Sequence, residues 1–362
     1  MIFLKSNRLF LFVIFLFVLF CQKSFAEIIN LDLPGNQDEL LVEYSKKGFL
    51  GEGTFKQVYK GTLNKKEVAV ALFFLKEDSD VYNEISEKNF ERNLKFHQNY
   101  THPNIINVLA YSRKELLIVY EYAQSDFFDF VDSLDFRSYK FNIAAIKEYI
   151  LFFIQIAQGI KFLHDNGIIH RDIKLNNIVL VNGVPKIIDF DFCKYFNKDQ
   201  DFIVVHKSKG SHLYTCPEMI KPVVEEFRDA GVYKEFNISK FIDCFAFAIL
   251  MLNTIYKVAF DIENIFSTEK FYYERLNGKL KLLITEKFEY LQKNENKFEE
   301  YLNNSDKLEF EENEEVPAFI AYIFIFKTVK KLLEYKPENR LNIDQVIENL
   351  EFINKLIVVN KL

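Results

Sequence analysis

Four side chains near the middle of the chain have the types and spacing for metal-assisted chemistry on phosphate: Asp172, Lys174, Asn177 and Asp189. Between Asn177 and Asp189 lie two apolar runs, Ile178–Val181 and Ile187–Ile188, separated by Asn182-Gly183. A run, an Asn-Gly pair and a second run predict a tight hairpin, because both turn residues tolerate the positive φ that such a turn needs. The hairpin brings its ends together, so two carboxylates, an amide and an ammonium meet at one mouth. That grouping suits Mg2+ and a phosphoryl group: hard cations take oxygen donors, and an ammonium offsets phosphate charge.

Written out, the stretch reads HRDIKLNN and then, past the hairpin, DFD. It resembles the catalytic loop and metal-binding segment of the eukaryotic protein kinases, whose pattern is H-R-D-x-K-x-x-N followed by D-F-G. The resemblance implies a role for each residue. Asp172 accepts or orients the proton of a substrate hydroxyl, Lys174 stabilises the transferring phosphoryl group, and Asn177 and Asp189 hold Mg2+. His170 and Phe190 pack internally. Asp191 stands where the family has glycine; glycine permits backbone angles that other residues visit reluctantly, and aspartate tolerates them better than most.

Elements that would position these groups lie on both sides. Gly48–Gly61 reads GFLGEGTFKQVYKG and resembles the kinase glycine-rich loop, with Gly51, Gly53 and Val58 at family positions. Two strands joined by a glycine turn bring backbone N–H groups near phosphates. The third glycine of the pattern is replaced by Lys56, and in Glu67–Leu72, which matches the third strand with Ala69 in it, Ala71 occupies the lysine position. One group, the With-No-Lysine (WNK) kinases, carries its phosphate-holding lysine in the glycine loop, and Gly51–Gly61 is similar to that loop at every fixed position. Lys56 is thereby implied as the α/β-phosphate ligand. Residues 80–97 predict the helix that in the family supplies a glutamate partner for the lysine. Counting back from His102-Pro103-Asn104 without a gap puts Asn93 there, and a two-residue insertion puts Glu91 there. Leu116–Ala123 predicts a strand, and the resemblance implies that it leads to the adenine site, with Tyr120 beside the purine and the backbone of Glu121 and Ala123 bonded to it.

Further on, Phe141–Asn166 has apolar residues at Ile146, Ile150, Phe153, Ile154, Ile160 and Leu163, a helical spacing that Gly167 ends. Cys193–Glu218 corresponds to the activation segment. Arg171 implies a site for an activation-loop phosphate, with Ser208, flanked by Lys207 and Lys209, as an acceptor and an exposed serine as the plain alternative. Ser211 is a second candidate, able to hydrogen-bond Asp172 and Lys174. The resemblance pairs Glu218 with Arg340 in a buried ion pair and assigns Asp243 to hold the catalytic-loop backbone. Residues 261–316, ending in an acidic run, read as a charged elaboration; Phe319–Glu334 and Ile343–Ile357 read as helices.

Composition bounds the remaining possibilities. The chain has 362 residues, 49% hydrophobic, enough for a large core in one or two domains. Lys5 and Arg8 precede the apolar run Leu9–Cys21, and Ser24-Phe25-Ala26 offers small residues for cleavage, so residues 1–26 read as a secretory signal peptide. A retained signal anchor and a buried core segment are the alternatives. Without that segment's Lys5, Arg8 and Lys23 the formal charge moves from −6 to −9, which disfavours nucleic acid as a partner. Cys193, Cys216 and Cys244 remain, an odd number without CxxC spacing, so neither a disulfide framework nor zinc is expected. Asn99, Asn237 and Asn303 begin N-x-S/T sequons, open to glycosylation in the secretory pathway or accidental in an Asn-rich chain.

The expected fold is therefore α+β and two-lobed, a small β-rich lobe with one main helix and a larger, mostly helical lobe. Residues 1–26 are the signal peptide, 27–42 a linker, 43–352 the kinase domain divided near 123, and 353–362 a tail. The expected activity is Ser/Thr protein phosphorylation with ATP and Mg2+ on a protein substrate, with membrane contact only through a retained N-terminal segment. Ala71, Asn93 and Asp191 keep open a second class, a secreted pseudokinase that binds nucleotide or partners without phosphotransfer.

Overall fold

The computed structural model describes residues 27–33, 36–53, 55–75, 79–133, 143–197, 200, 202–205, 214–219, 236–260, 315–334 and 336–359. They belong to two units, one formed by the chain up to Thr101 with Ile106–Ala123, the other by His102–Ile105 with the chain from Gln124 onward.

In the first unit the strands are β1 (Glu27–Leu33), β2 (Asn36–Glu52), β3 (Lys56–Leu63), β4 (Lys66–Phe73), β5 (Val108–Ser112) and β6 (Leu117–Glu121), with helix α1 (Asp80–Asn99) between β4 and β5. The antiparallel order β1-β2-β3-β4-β6-β5 closes into a barrel where Asp32 of β1 meets Tyr111 of β5. Alternation along each strand sorts the side chains. Val42, Tyr44, Tyr59, Val68, Val70, Leu117 and Val119 form one core cluster. Ala71, Phe73 and Ile118 form another with Phe90 and Leu94 of α1. Ser79 caps α1, its Oγ accepting the Tyr82 N–H at 3.4 Å. The expected linker over 27–42 is instead strand: β1 pairs with β2 from Glu27↔Tyr44 to Leu33↔Asn36.

The second unit is mostly helical. It contains β7 (Ser125–Asp126), α2 (Phe127–Asp132), α3 (Ile143–Asp165), β8 (Ile168–Ile169), β9 (Ile178–Val181), β10 (Val184–Ile187), β11 (Lys194–Tyr195), β12 (Ile203–Val205), β13 (Phe236–Ile238), α4 (Phe241–Phe260), α5 (Glu315–Leu332) and α6 (Ile343–Val359). The α+β fold class of the sequence reading holds. Helix α3 is apolar nearly all round and long enough to cross a membrane by composition, yet it packs on α6 and β10 with 61% of its apolar window buried, as a core helix does. Gly167 ends it at φ +68°, and a Cβ there would lie 2.5 Å from the Phe196 carbonyl oxygen. The signal-peptide reading of 1–26, Ser208, Ser211, the Asn303 sequon and most of the charged region 261–316 lie outside the described residues.

Candidate active site

The catalytic-loop sequence is held from below by a buried carboxylate. Asp243, in the first turn of α4, is 1% exposed. Its Oδ2 accepts the His170 N–H at 2.8 Å and its Oδ1 the Arg171 N–H at 2.8 Å. His164, at the end of α3, adds a contact from Nε2 to Oδ2 at 3.0 Å. Burial alone raises the Asp243 carboxyl, but the His164 hydrogen bond and the backbone donors outweigh it and hold the group below its ordinary value. The gripped backbone is in an uncommon conformation: Arg171 has φ 72°. Left-handed geometry in a bulky residue persists only where surroundings enforce it, and here two charge-assisted bonds do so.

His170 ties the loop to the hairpin. Its Nδ1 accepts the Asp172 N–H at 3.2 Å, and its Nε2 is 3.0 Å from the Ile188 carbonyl oxygen. The tautomer with its proton on Nε2 makes both bonds, and the ring serves as a spacer between loop and hairpin. The Phe190 ring meets it edge-on at 5.2 Å. Both residues are fully buried, in keeping with internal packing.

Asp172 is the focus of the loop. Its Oδ2 receives Lys174 Nζ at 2.8 Å and Asn177 Nδ2 at 2.8 Å, and Asn177 Nδ2 also meets the Asp172 carbonyl at 2.8 Å. The predicted hairpin follows, Val181 pairing with Val184 across Asn182 (φ 51°) and Gly183 (φ 79°), a doubly left-handed turn. It returns the chain so that Ile188 N–H donates to Asn177 O at 3.0 Å, which brings Asp189 within two residues of the loop it must face. Asp189 is half-buried with φ 68°. Asp191 is different from expectation. It is buried and keeps an ordinary negative φ, because the left-handed step of this segment falls on Asp189. Position 191 therefore needs no glycine for its backbone.

Glu218 and Arg340 form the expected pair, Oε1 to Nη1 at 2.6 Å and Oε2 to Nη2 at 2.7 Å. The Arg340 side chain is 0% exposed and that of Glu218 19%. The guanidinium also donates from Nε to the Glu334 carbonyl at 2.8 Å and lies 5.0 Å from the Phe245 ring centroid. Burial works against the charge on Arg340, and the Glu218 carboxylate reverses that and raises its pKa. Cys193, Cys216 and Cys244 are buried thiols; burial pushes Cys244 up to about 12.

In the first unit, register decides where Lys56 stands. Lys56 pairs with Phe73 and Val58 with Ala71, so all four share one face of β3 and β4. Lys56 and Ala71 are diagonal neighbours on that face, the one packed on α1. Lys56 is 9% exposed, with Nζ 5.5 Å from the Phe73 ring centroid. The turn before it is braced by Gly53 N–H to Lys56 O at 2.8 Å. A Cβ on Gly51 would meet nothing within 4 Å, so packing inside the unit does not call for glycine there.

Helix α1 resolves the two readings of its register. Asn93 is 1% exposed, one turn from Phe90, whose ring meets Phe73 edge-on at 5.6 Å. Glu91 is exposed and pairs with Arg113 at 2.9 Å. The inner face of α1 thus presents the neutral Asn93 and, one turn on, His97. Burial and then the charge of Lys56 push His97 down to about 3, so its imidazole is neutral. Its ring is 5.5 Å from that of Tyr120. At the end of β6, Glu121 N–H donates to the Asn107 carbonyl at 3.1 Å and Glu121 Oε1 accepts the Asn107 N–H at 2.9 Å; Ala69 and Ala123 are half-buried.

The donor set fits the groups expected of it. Among the described residues no cluster of three His, Cys, Asp or Glu side chains is arranged for a metal. Asn177 and Asp189 remain as hard oxygen donors, a pair suited to Mg2+, which keeps waters and binds chiefly through one or two protein ligands and phosphate. Sequence reasoning missed His164 and Asn253; Asn253 donates from Nδ2 to the Tyr214 hydroxyl at 3.1 Å, the oxygen that also accepts the Leu175 N–H at 3.5 Å. His164 had a usable signal, an i, i+4 position after Ile160 on the buried face of α3.

Comparison with known proteins supplies the context. A family model described as the protein kinase domain matches residues 44–352. A Dictyostelium discoideum protein described as a probable serine/threonine-protein kinase is 35% identical over 174 residues, 47% of this chain and 18% of its own length. The Arabidopsis thaliana serine/threonine-protein kinase TIO is 32% identical over 49% of this chain and 13% of its own. The Arabidopsis cysteine-rich receptor-like protein kinase 44 is 29% identical over 59% of this chain and 53% of its own. The matches therefore span less than a fifth of the first two relatives and about half of the third.

Proposed function

The chain belongs to the protein kinase domain family, and from that premise we propose that it is a serine/threonine kinase moving the γ-phosphoryl group of ATP to protein hydroxyls. The observation that carries this reading is the Asp172 carboxylate, held by Lys174 and Asn177 on a loop anchored through Asp243. Its Oδ1 would take or orient the proton of an incoming hydroxyl while Oδ2 stays paired. Lys174, 2.8 Å from that carboxylate, would meet the charge developing on the transferred group. Mg2+ held by Asn177 and Asp189 would neutralise and orient the phosphates when bound.

Lys56 would hold the α/β-phosphates in place of the lysine absent at Ala71, the arrangement of the With-No-Lysine kinases. Its support is the shared face of Lys56 and Ala71 and the burial of Lys56 on the α1 side. With Glu121 N–H spent on Asn107, the adenine contact expected there would fall to the Glu121 carbonyl, with the Ala123 backbone beside it. Lysine at position 174 and the Ser/Thr kinases among the relatives favour serine or threonine over tyrosine as the acceptor.

The test is incorporation of label from γ-labelled Mg-ATP by the purified chain beside Asp172→Ala and Asp189→Ala. Label in the wild type and its loss in both variants is the expected result. A wild type that takes no label, yet melts at higher temperature with ATP, would overturn phosphotransfer in favour of a nucleotide-binding pseudokinase, the reading that Ala71 and Asn93 favour.

A further inference from the structure

We propose that Asn237 is an N-glycosylation site: residues 1–26 lead the chain into the secretory pathway, and the Asn237 side chain takes an oligosaccharide there. Asn237-Ile238-Ser239 is a sequon of the form N-x-S/T, running from β13 toward the start of helix α4. Strand β13 pairs antiparallel with β12, Asn237 opposite Val204 and Ile238 opposite Ile203. Alternation sorts this small sheet into two faces. Val205 and Ile238 are 5% and 0% exposed and belong to the inner face. Val204 and Asn237 stand side by side on the outer face, both exposed. Asparagine is a poor strand former, and among the described residues the Asn237 amide has no hydrogen-bond partner that would explain it there.

The other described sequon offers a contrast. Asn99 is also exposed, but its Nδ2, the atom that would carry the sugar, donates to the Lys95 carbonyl at 2.6 Å at the end of α1. The donor for the transfer is a lipid-linked oligosaccharide of the secretory lumen. Nδ2 of Asn237 loses a proton and bonds to C1 of the first sugar. The bond from that C1 to the lipid diphosphate breaks, and the lipid diphosphate leaves. A use for the glycan lies opposite its attachment. Val204 is 46% exposed, and Phe202, two residues earlier, is 55% exposed. Both belong to the stretch between Asp189 and Glu218. A sugar chain on Asn237 would cover Val204, and its size brings Phe202 within reach, so apolar surface that invites association is screened.

The experiment expresses the full chain, residues 1–26 included, in eukaryotic secretory cells, beside Asn237→Gln and Ser239→Asp. Ser239 Oγ also accepts the Phe241 N–H at 3.4 Å at the start of α4. Aspartate keeps that acceptor while ending the sequon, so loss of the glycan in Ser239→Asp is not loss of the helix start. Each sequon is mapped by mass spectrometry after peptide-N-glycosidase digestion in heavy-oxygen water, which marks a glycosylated asparagine as heavy aspartate. The expected result is translocated wild type with the mark at Asn237, and both variants migrating faster by one glycan. Both variants should also bind more of an apolar dye than the glycosylated chain. A wild type kept in the cytosol overturns the proposal at its first step, and Asn237 left unmodified in translocated protein overturns it at the second. Equal dye binding overturns the screening role. Where Asn237→Gln fails to fold, Ser239→Asp carries the comparison. Phosphotransfer is a separate readout that none of these outcomes decides.

Discussion

Replacing Glu218 by alanine should cost the protein about 3 kcal/mol of stability. The magnitude follows from what is left behind. Arg340 would keep its Nε bond to the Glu334 carbonyl at 2.8 Å and a long contact from Nη1 to the Phe241 carbonyl at 3.4 Å, but its charge would lose the Glu218 carboxylate that faces it in a buried setting. Breaking a buried pair by removing one partner costs roughly 3–5 kcal/mol, and the 19% exposure of Glu218 puts this case at the low end, since water can enter the vacated space. Glu218→Gln should lose less, because the amide oxygen still accepts from the guanidinium. Arg340→Met should also cost less than Glu218→Ala, as the stranded carboxylate is the better hydrated partner. The assay is urea unfolding at equilibrium, with the slope checked for constancy, and a double-mutant cycle for the coupling. A loss under about 1 kcal/mol for Glu218→Ala would refute the reasoning, since that is the range of an exposed pair.

Three further outcomes follow from the geometry. His97, held near 3 against an ordinary 6.5, is neutral when folded and gains a proton on unfolding, so stability should fall as pH drops below 6.5, by up to about 1.4 kcal/mol per pH unit; His97→Gln should flatten that slope in urea titrations between pH 6.5 and 4, and an unchanged slope would exclude His97 as its source. Asp243 has a depressed pKa, so its contribution is present above the ordinary carboxylate range and lost as pH falls through 3.8 and below; Asp243→Asn should remove that acid limb and also slow phosphotransfer by loosening His170 and Arg171, whereas normal turnover in the variant would deny the anchor. Glu91→Gln should change stability by no more than about 0.5 kcal/mol, because its pair with Arg113 is solvent-exposed on both sides, and any larger effect on nucleotide affinity than that of Asn93→Ala would reinstate Glu91 as the inward residue.

The parts of the site that could be read from the chain were those whose chemistry is local. Asp172, Lys174 and Asn177 sit on one loop, and Asn182-Gly183 states the turn that returns Asp189 to them. The apolar run Phe245–Leu252 just after Asp243 marks the helix that carries it, which begins at Phe241 and reaches Phe260. What depended on packing between distant segments was not. Two residues separate Glu91 from Asn93, which turns them to opposite sides of α1, and only the contact of Phe73 with Phe90 decides between them. Residues 27–42 read as a linker from composition, and only the pairing of β1 with β2 shows them as strand. The glycine position at Asp191 suggested left-handed backbone, but the strain moved to Asp189, where no sequence rule places it. The bridge from Leu175 through Tyr214 to Asn253 joins residues far apart in the chain, and the side chains alone do not announce it.

The proposed role of Lys56 is tested most directly by moving the lysine to position 71. Incorporation of label from γ-labelled Mg-ATP should fall about a hundredfold or more in Lys56→Ala and recover to within tenfold of the wild type in Lys56→Ala/Ala71→Lys, because both positions lie on the same face of β3 and β4. Incorporation by Lys56→Ala equal to that of the wild type would contradict the assignment of Lys56 to the phosphates.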